Sequence, residues 1–180
     1  MSPFDHTPYY CEENIWRLCR HERFCAAKRS AVFISNAQRQ CAMWNQRAGP
    51  EAGGPIVWDY HVVMLAEAGA GWEVWDLDCL LGAPLPARVW FDGSFLGLGA
   101  LRPRFRPTFR VVDADIFAEV FSSDRGHMRR PDGSFLQPPP AWEAIGEGPS
   151  NLMSFVDMSG NSEGEVISGE TFLALYGALS

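Results

Sequence analysis

The chain has 180 residues, 47% of them hydrophobic and 21% charged, with a formal net charge of -7 and a pI near 5.0. That length and balance suit one domain over residues 1–180 with a sizeable core, and exclude a disordered chain. The acidic charge argues against nucleic acid as the main partner, and no apolar run reaches the length of a membrane helix.

Met1 to Tyr10 is polar and contains proline, so neither a signal peptide nor a membrane anchor is predicted. Five cysteines without a CxxC pair suit a reducing compartment better than a disulfide framework, and place the protein in the cytoplasm or the nucleus.

Glu12 to His21 reads as a helix with Ile15, Leu18 and Cys19 on one stripe, which puts Cys11 at its N-terminus. Ala31 to Ser35 is a short buried-type strand, and Asn36 to Gly54 a polar stretch with a further strand around Cys41 to Trp44. Pro55 to Ala66 and Gly71 to Leu77 read as two strands joined through residues 67–70. With that turn, His61 stands directly across from Asp76 on the same face.

Arg102, Arg104, Arg106 and Arg110 alternate with Pro103, Phe105 and Pro107 and read as an exposed, extended connector. Phe109 to Asp113 is another strand and Asp115 to Phe121 a short helix. Arg125 to Pro140 is a Gly- and Pro-rich loop, long enough to be functional and a candidate wall of a peptide groove. Asn151 to Met158 and Gly169 to Ala178 read as closing helices, the latter capped by Ser168.

A cysteine at a helix N-terminus, near an imidazole held by a carboxylate, is an arrangement that activates a sulfur nucleophile. Cys11, His61 and Asp76 are the candidates. Glu12 and Glu13 would oppose thiolate formation, which points to another use for them, such as holding an ammonium group. Asp59, two residues from His61 on the same strand, joins them as a candidate.

Taken singly, each of these residues has a plainer reading. A free cysteine is usually a buried packing residue, a histidine in a Val- and Trp-rich strand is usually a satisfied core residue, and Asp76 or Asp78 could begin a turn. Cys19, Cys25, Cys41 and Cys79 are read as structural. Cys19, His21 and Cys25 lack a fourth partner at zinc-site spacing, so no metal is expected. Trp58, Tyr60, Trp72 and Trp75 alternate as core or pocket walls.

The combination resembles a known family. Tyr10-Cys11-Glu12-Glu13-Asn14-Ile15-Trp16, Ala31-Val32-Phe33-Ile34-Ser35-Asn36 and Trp58-Asp59-Tyr60-His61-Val62-Val63 are similar to the protein N-terminal glutamine amidohydrolases, or WDYHV-motif proteins. The similarity continues through Asp76-Leu77-Asp78, Phe109-Arg110-Val111, Ser123-Asp124-Arg125, His127-Met128, prolines 138–140 and Asn151-Leu152.

The resemblance implies Cys11 as nucleophile, His61 as base and Asp76 as orienting carboxylate. It implies an α+β fold with a papain- or transglutaminase-like core, an antiparallel sheet with helices packed on it. The activity implied is deamidation of an N-terminal glutamine side chain, which in eukaryotes feeds arginylation and the N-degron route. Glu12, Glu13, Asp59 and Asp124 are the candidate receptors for the substrate's α-ammonium. No cofactor is expected, the partners are proteins or peptides beginning with Gln, and the protein is expected to be a monomer. The alternatives are a papain-like protease or transglutaminase-type acyl transferase on the same triad, and a non-catalytic module that binds N-termini.

Overall fold

The computed structural model describes residues 4–51, 53–69 and 71–178. Helix α1 (Cys11–Cys19) starts at the cysteine, with Glu12 and Glu13 in its first turn and Arg17 in its last, all suited to the helix dipole. It stops two residues short of the expected His21. The Arg20 N–H turns back to Arg17 O and a 3-10 turn (Glu22–Phe24) follows.

Strand β1 (Arg29–Ser35) is central, with Ala31, Val32, Phe33 and Ile34 fully buried. Its unbroken apolar run reflects helices covering both faces of the sheet. The expected strand over Pro55 to Ala66 divides at Asp59 and Tyr60. Ile56–Trp58 forms β3, paired with β2 (Cys41–Met43) in a separate two-stranded sheet, and His61–Ala68 forms β4. The break is held by two hydrogen bonds: Asp59 Oδ1 accepts the Tyr60 N–H at 3.0 Å, and Ser35 Oγ of β1 donates to Asp59 O at 2.6 Å.

β4 pairs with β5 (Gly71–Trp75), but with Met64 opposite Trp75 and Ala68 opposite Gly71, two residues away from the expected register. Gly69 has φ +59°, which glycine adopts without strain, and this tightens the turn beyond the expected four residues. Ala70, which the sequence pattern places in the turn, lies outside the described residues. His61 and Asp76 are therefore not directly opposite. An even shift keeps them on one face, with Asp76 just beyond the end of β5.

The remaining elements are β6 (Leu85–Pro86), α2 (Ala87–Ser94), β7 (Thr108–Asp113), α3 (Ala114–Val120), α4 (Leu152–Val156), β8 (Glu165–Ser168) and α5 (Gly169–Tyr176). Ser168 Oγ caps α5 by accepting the Thr171 N–H at 3.2 Å. The main sheet runs β6-β5-β4-β1-β7-β8, and each neighbouring pair is antiparallel. The fold is α+β.

Two cores result. On one face, α1, α3 and α4 bury Ile15, Leu18, Phe117 and Phe155 against Phe33, Val62 and Met64. On the other, α2 and α5 bury Trp90, Phe91 and Phe172 against Val32, Val63 and Phe109. Arg110 corrects the reading of its cluster as an exposed connector. It is fully buried in β7, donating to Phe155 O and Ser162 O at 3.0 Å, to Glu163 O at 3.1 Å and also to Asp157 O. One guanidinium thereby ties the segment after α4 to the sheet. Arg102, Arg104 and Arg106 are exposed.

Candidate active site

α1 packs against β4, so its first residue comes to the start of that strand. Cys11, 9% exposed, and His61, 1% exposed, line one cavity of about 380 Å³. Trp58, Asp59, Tyr60, Asp78 and Gln137 also line it, as do His127, Met128 and Leu136. A roomier concavity of about 510 Å³ lies along α1 by Asp5, Trp16, Arg17 and His21, but its lining has no cysteine.

His61 Nε2 lies 2.9 Å from Asp76 Oδ1, with both side chains buried. The carboxylate is heavily supported. Gln46 Nε2 donates to Oδ2 at 2.9 Å, Trp90 Nε1 to Oδ2 at 3.1 Å, and the Asp78 N–H to Oδ1 at 3.1 Å. Burial alone would raise the Asp76 pKa, but the His61 charge and these donors outweigh it and hold it below the ordinary value. Burial pushes the His61 pKa down, and the Asp76 charge and hydrogen bond overcome that to leave it raised.

Trp58 stacks on the His61 ring, with centroids 5.7 Å apart and planes 13° from parallel. Its indole Nε1 is buried without a hydrogen-bond partner among the described residues. The Cys11 thiol is pushed well above its ordinary pKa, first by burial, then by the charges of Glu12 and Asp78, against one favourable backbone contact from Val62. A helix N-terminus does not by itself make this cysteine a thiolate.

The acidic candidates separate by geometry. Glu13 receives both Arg125 Nε and Nη2 at 2.8 Å and Trp142 Nε1 at 2.8 Å. Both of its oxygens are thus occupied, in tying α1 to the loop. Asp124 is exposed, accepts the Gly126 N–H at 2.8 Å, and is absent from the cavity wall. Asp59 lines the cavity but is more than half exposed and lies 3.6 Å from Arg39. Glu12 is fully buried. Its Oε2 accepts the Tyr60 hydroxyl at 3.1 Å and the Cys11 thiol at 3.7 Å, and Oε1 lies 3.4 Å from His127 Nε2 without a hydrogen bond.

The loop over Arg125 to Pro140 does contribute to the cavity, through His127, Met128, Leu136 and Gln137. Arg125 ties the loop's start to the segment just after it by donating to Trp142 O at 2.8 Å and Glu143 O at 3.1 Å, as well as to Glu13. Within it, the Leu136 N–H donates to Met128 O at 2.8 Å, and from the start of α1 the Tyr10 hydroxyl donates to Gln137 O at 3.2 Å. No local sequence pattern marks Gln46 or Trp90 as partners of Asp76. Gln46 arrives through an isolated bridge to Cys79, beside Asp78.

Fold and cavity together define an α+β protein that sets a helix-terminal cysteine beside a buried His–Asp pair. The family described as N-terminal glutamine amidase matches residues 6–176. The protein N-terminal glutamine amidohydrolase of Bos taurus is 40% identical over 156 residues, 83% of this chain and 75% of the relative. That of Homo sapiens is 39% identical over 83% of this chain and 76% of the relative, and that of Arabidopsis thaliana 36% identical over 95% and 83%. The chain belongs to the N-terminal glutamine amidase family.

Proposed function

We propose that this protein deamidates the side chain of an N-terminal glutamine in proteins and peptides, giving N-terminal glutamate and ammonia, with Cys11 as nucleophile. The observation that carries the reading is the cavity shared by Cys11 and His61, with the buried Asp76 behind the imidazole. The relatives' names supply the substrate.

His61, held through Nε2 by Asp76, takes the Cys11 proton on Nδ1. The sulfur then attacks the side-chain amide carbon. The resulting oxyanion is held by the Cys11 backbone N–H and by the unpartnered Trp58 indole N–H. Collapse breaks the C–N bond as His61 returns the proton to nitrogen, releasing ammonia and leaving a thioester. Water, deprotonated by His61, attacks that thioester; the C–S bond breaks and the proton returns to sulfur. The peptide bond is untouched.

A helix-borne nucleophile beside a strand-borne histidine is the arrangement of papain- and transglutaminase-like cores, and we read the fold in that sense. The N-terminal glutamate produced is the form that would enter an N-degron route in a cell that has one. The test is ammonia release and a one-dalton gain on a Gln-initiated peptide, with Cys11→Ala as control. Peptide-bond cleavage or amine incorporation instead would favour a protease or acyl transferase, and retention without ammonia a binding module.

A further inference from the structure

Glu12 is placed where a carboxylate is costly and, for the nucleophile, harmful. It is fully buried one residue from Cys11, and its charge disfavours ionisation of the thiol it touches. Its direct contacts are a thiol, a phenol and an imidazole, none of them a permanent cation. Arg125 is also in its field, but is hydrogen-bonded to Glu13. Among the described residues, Oε1 is left without a hydrogen bond, and so is the buried Nδ1 of His127, whose Nε2 lies 3.4 Å from it. Tyr60, which donates to Oε2, and His127, which lies beside Oε1, both line the cavity, so they separate Glu12 from it.

The two carboxylates that line the cavity, Asp59 and Asp78, are less suited. Asp78 Oδ1 is occupied by His6 Nε2 at 2.8 Å, and Asp59 takes the Tyr60 N–H and faces Arg39 in solvent. An extended glutamine places its ammonium nitrogen four bonds, about 5 Å, from its amide carbon. That reach is on the scale of the distance from the Cys11 sulfur to the Glu12 carboxylate, 3.7 Å at Oε2.

We propose that Glu12 is the receptor for the substrate's α-ammonium, which displaces His127 from Oε1, and that a cation there frees Cys11 to react. Glu12 is then both the residue that selects a free N-terminus and a gate on the nucleophile. The proposal rests on Cys11 being the nucleophile that deamidates N-terminal glutamine. A chain without a terminal charge leaves Glu12 uncompensated and the thiol protonated. The titratable groups around the pair are Tyr60, His127, Tyr10, Arg125 and His61 for Glu12, and Asp78 and Asp76 in addition for Cys11.

The experiment has two arms. In the first, wild type should alkylate at Cys11 with iodoacetamide at pH 7 at least about threefold faster with alaninamide present, read at that residue by mass spectrometry, and no faster with N-acetylalaninamide. Alaninamide carries the ammonium but leaves the space at the sulfur open. Equal rates under the two additives overturn the gate without any variant being needed. In the second, kcat/KM is compared for a Gln peptide and its N-acetyl form. Wild type should favour the free amine by at least about a hundredfold and Glu12→Gln by less than about tenfold, with alaninamide no longer affecting alkylation in the variant. Wild-type discrimination retained in Glu12→Gln overturns the assignment and moves it to Asp78 or Asp59. Failure of the wild type to release ammonia from the free Gln peptide overturns the functional reading instead, and the alkylation arm still decides whether a cation gates Cys11.

Discussion

His61 and Asp76 form a buried pair whose charges favour each other, and this sets a direction for the pH profile. The His61 pKa is raised above 6.5, and in the proposed mechanism the imidazole must be neutral to take the thiol proton. The acid limb of kcat/KM for a Gln peptide should therefore rise through a pKa above 6.5; a limb centred at or below that value would contradict the assigned base. Trp58 offers a second residue-scale test. Trp58→Phe keeps a ring to stack on His61 but removes the unpartnered indole N–H. As an oxyanion donor its loss should lower kcat by about 10²- to 10³-fold with KM little changed, and stopped single-turnover assays separate the two.

At the scale of elements, the site depends on how α1 and the loop over 125–140 are joined. Glu13 is committed to that joint, with its partner Arg125 buried among loop carbonyls. Arg125→Met should destabilise the protein by about 3–5 kcal/mol, because it leaves a buried carboxylate without its cation; urea unfolding measures it. A loss below about 1 kcal/mol would mean that the pair is solvated in solution. The motif Cys11-Glu12-Glu13 thus contains three different uses of adjacent residues. Sequence could place all three at a helix start, but not assign them, since successive helical residues point about 100° apart and meet different neighbours. The β4–β5 hairpin has a similar limit: period-two patterning set the shared face of His61 and Asp76, while the conformation of Gly69 set which residues pair.

On the scale of the whole molecule, the two layers of helices have distinct relations to the site. Cys11 belongs to the α1 face, whereas Trp90 in the core of the α2 face donates to Asp76. Trp90→Phe should therefore lower kcat about tenfold or more by removing a hydrogen bond to a buried carboxylate, together with a modest fall in melting temperature from the smaller ring. An unchanged kcat would detach the far core from the site. By itself, the sequence determined the helix start at Cys11, the common face of His61 and Asp76, and the family, and through the family resemblance the α+β class. The first two are properties of local periodicity, the others of motifs in order. Only the tertiary structure decided that Arg110 is buried, that Gln46 and Trp90 support Asp76, and that Glu12 keeps an unpartnered oxygen while Glu13 does not. Those facts depend on which distant groups come within hydrogen-bond reach and on how much water remains beside them, and neither quantity is written in local pattern.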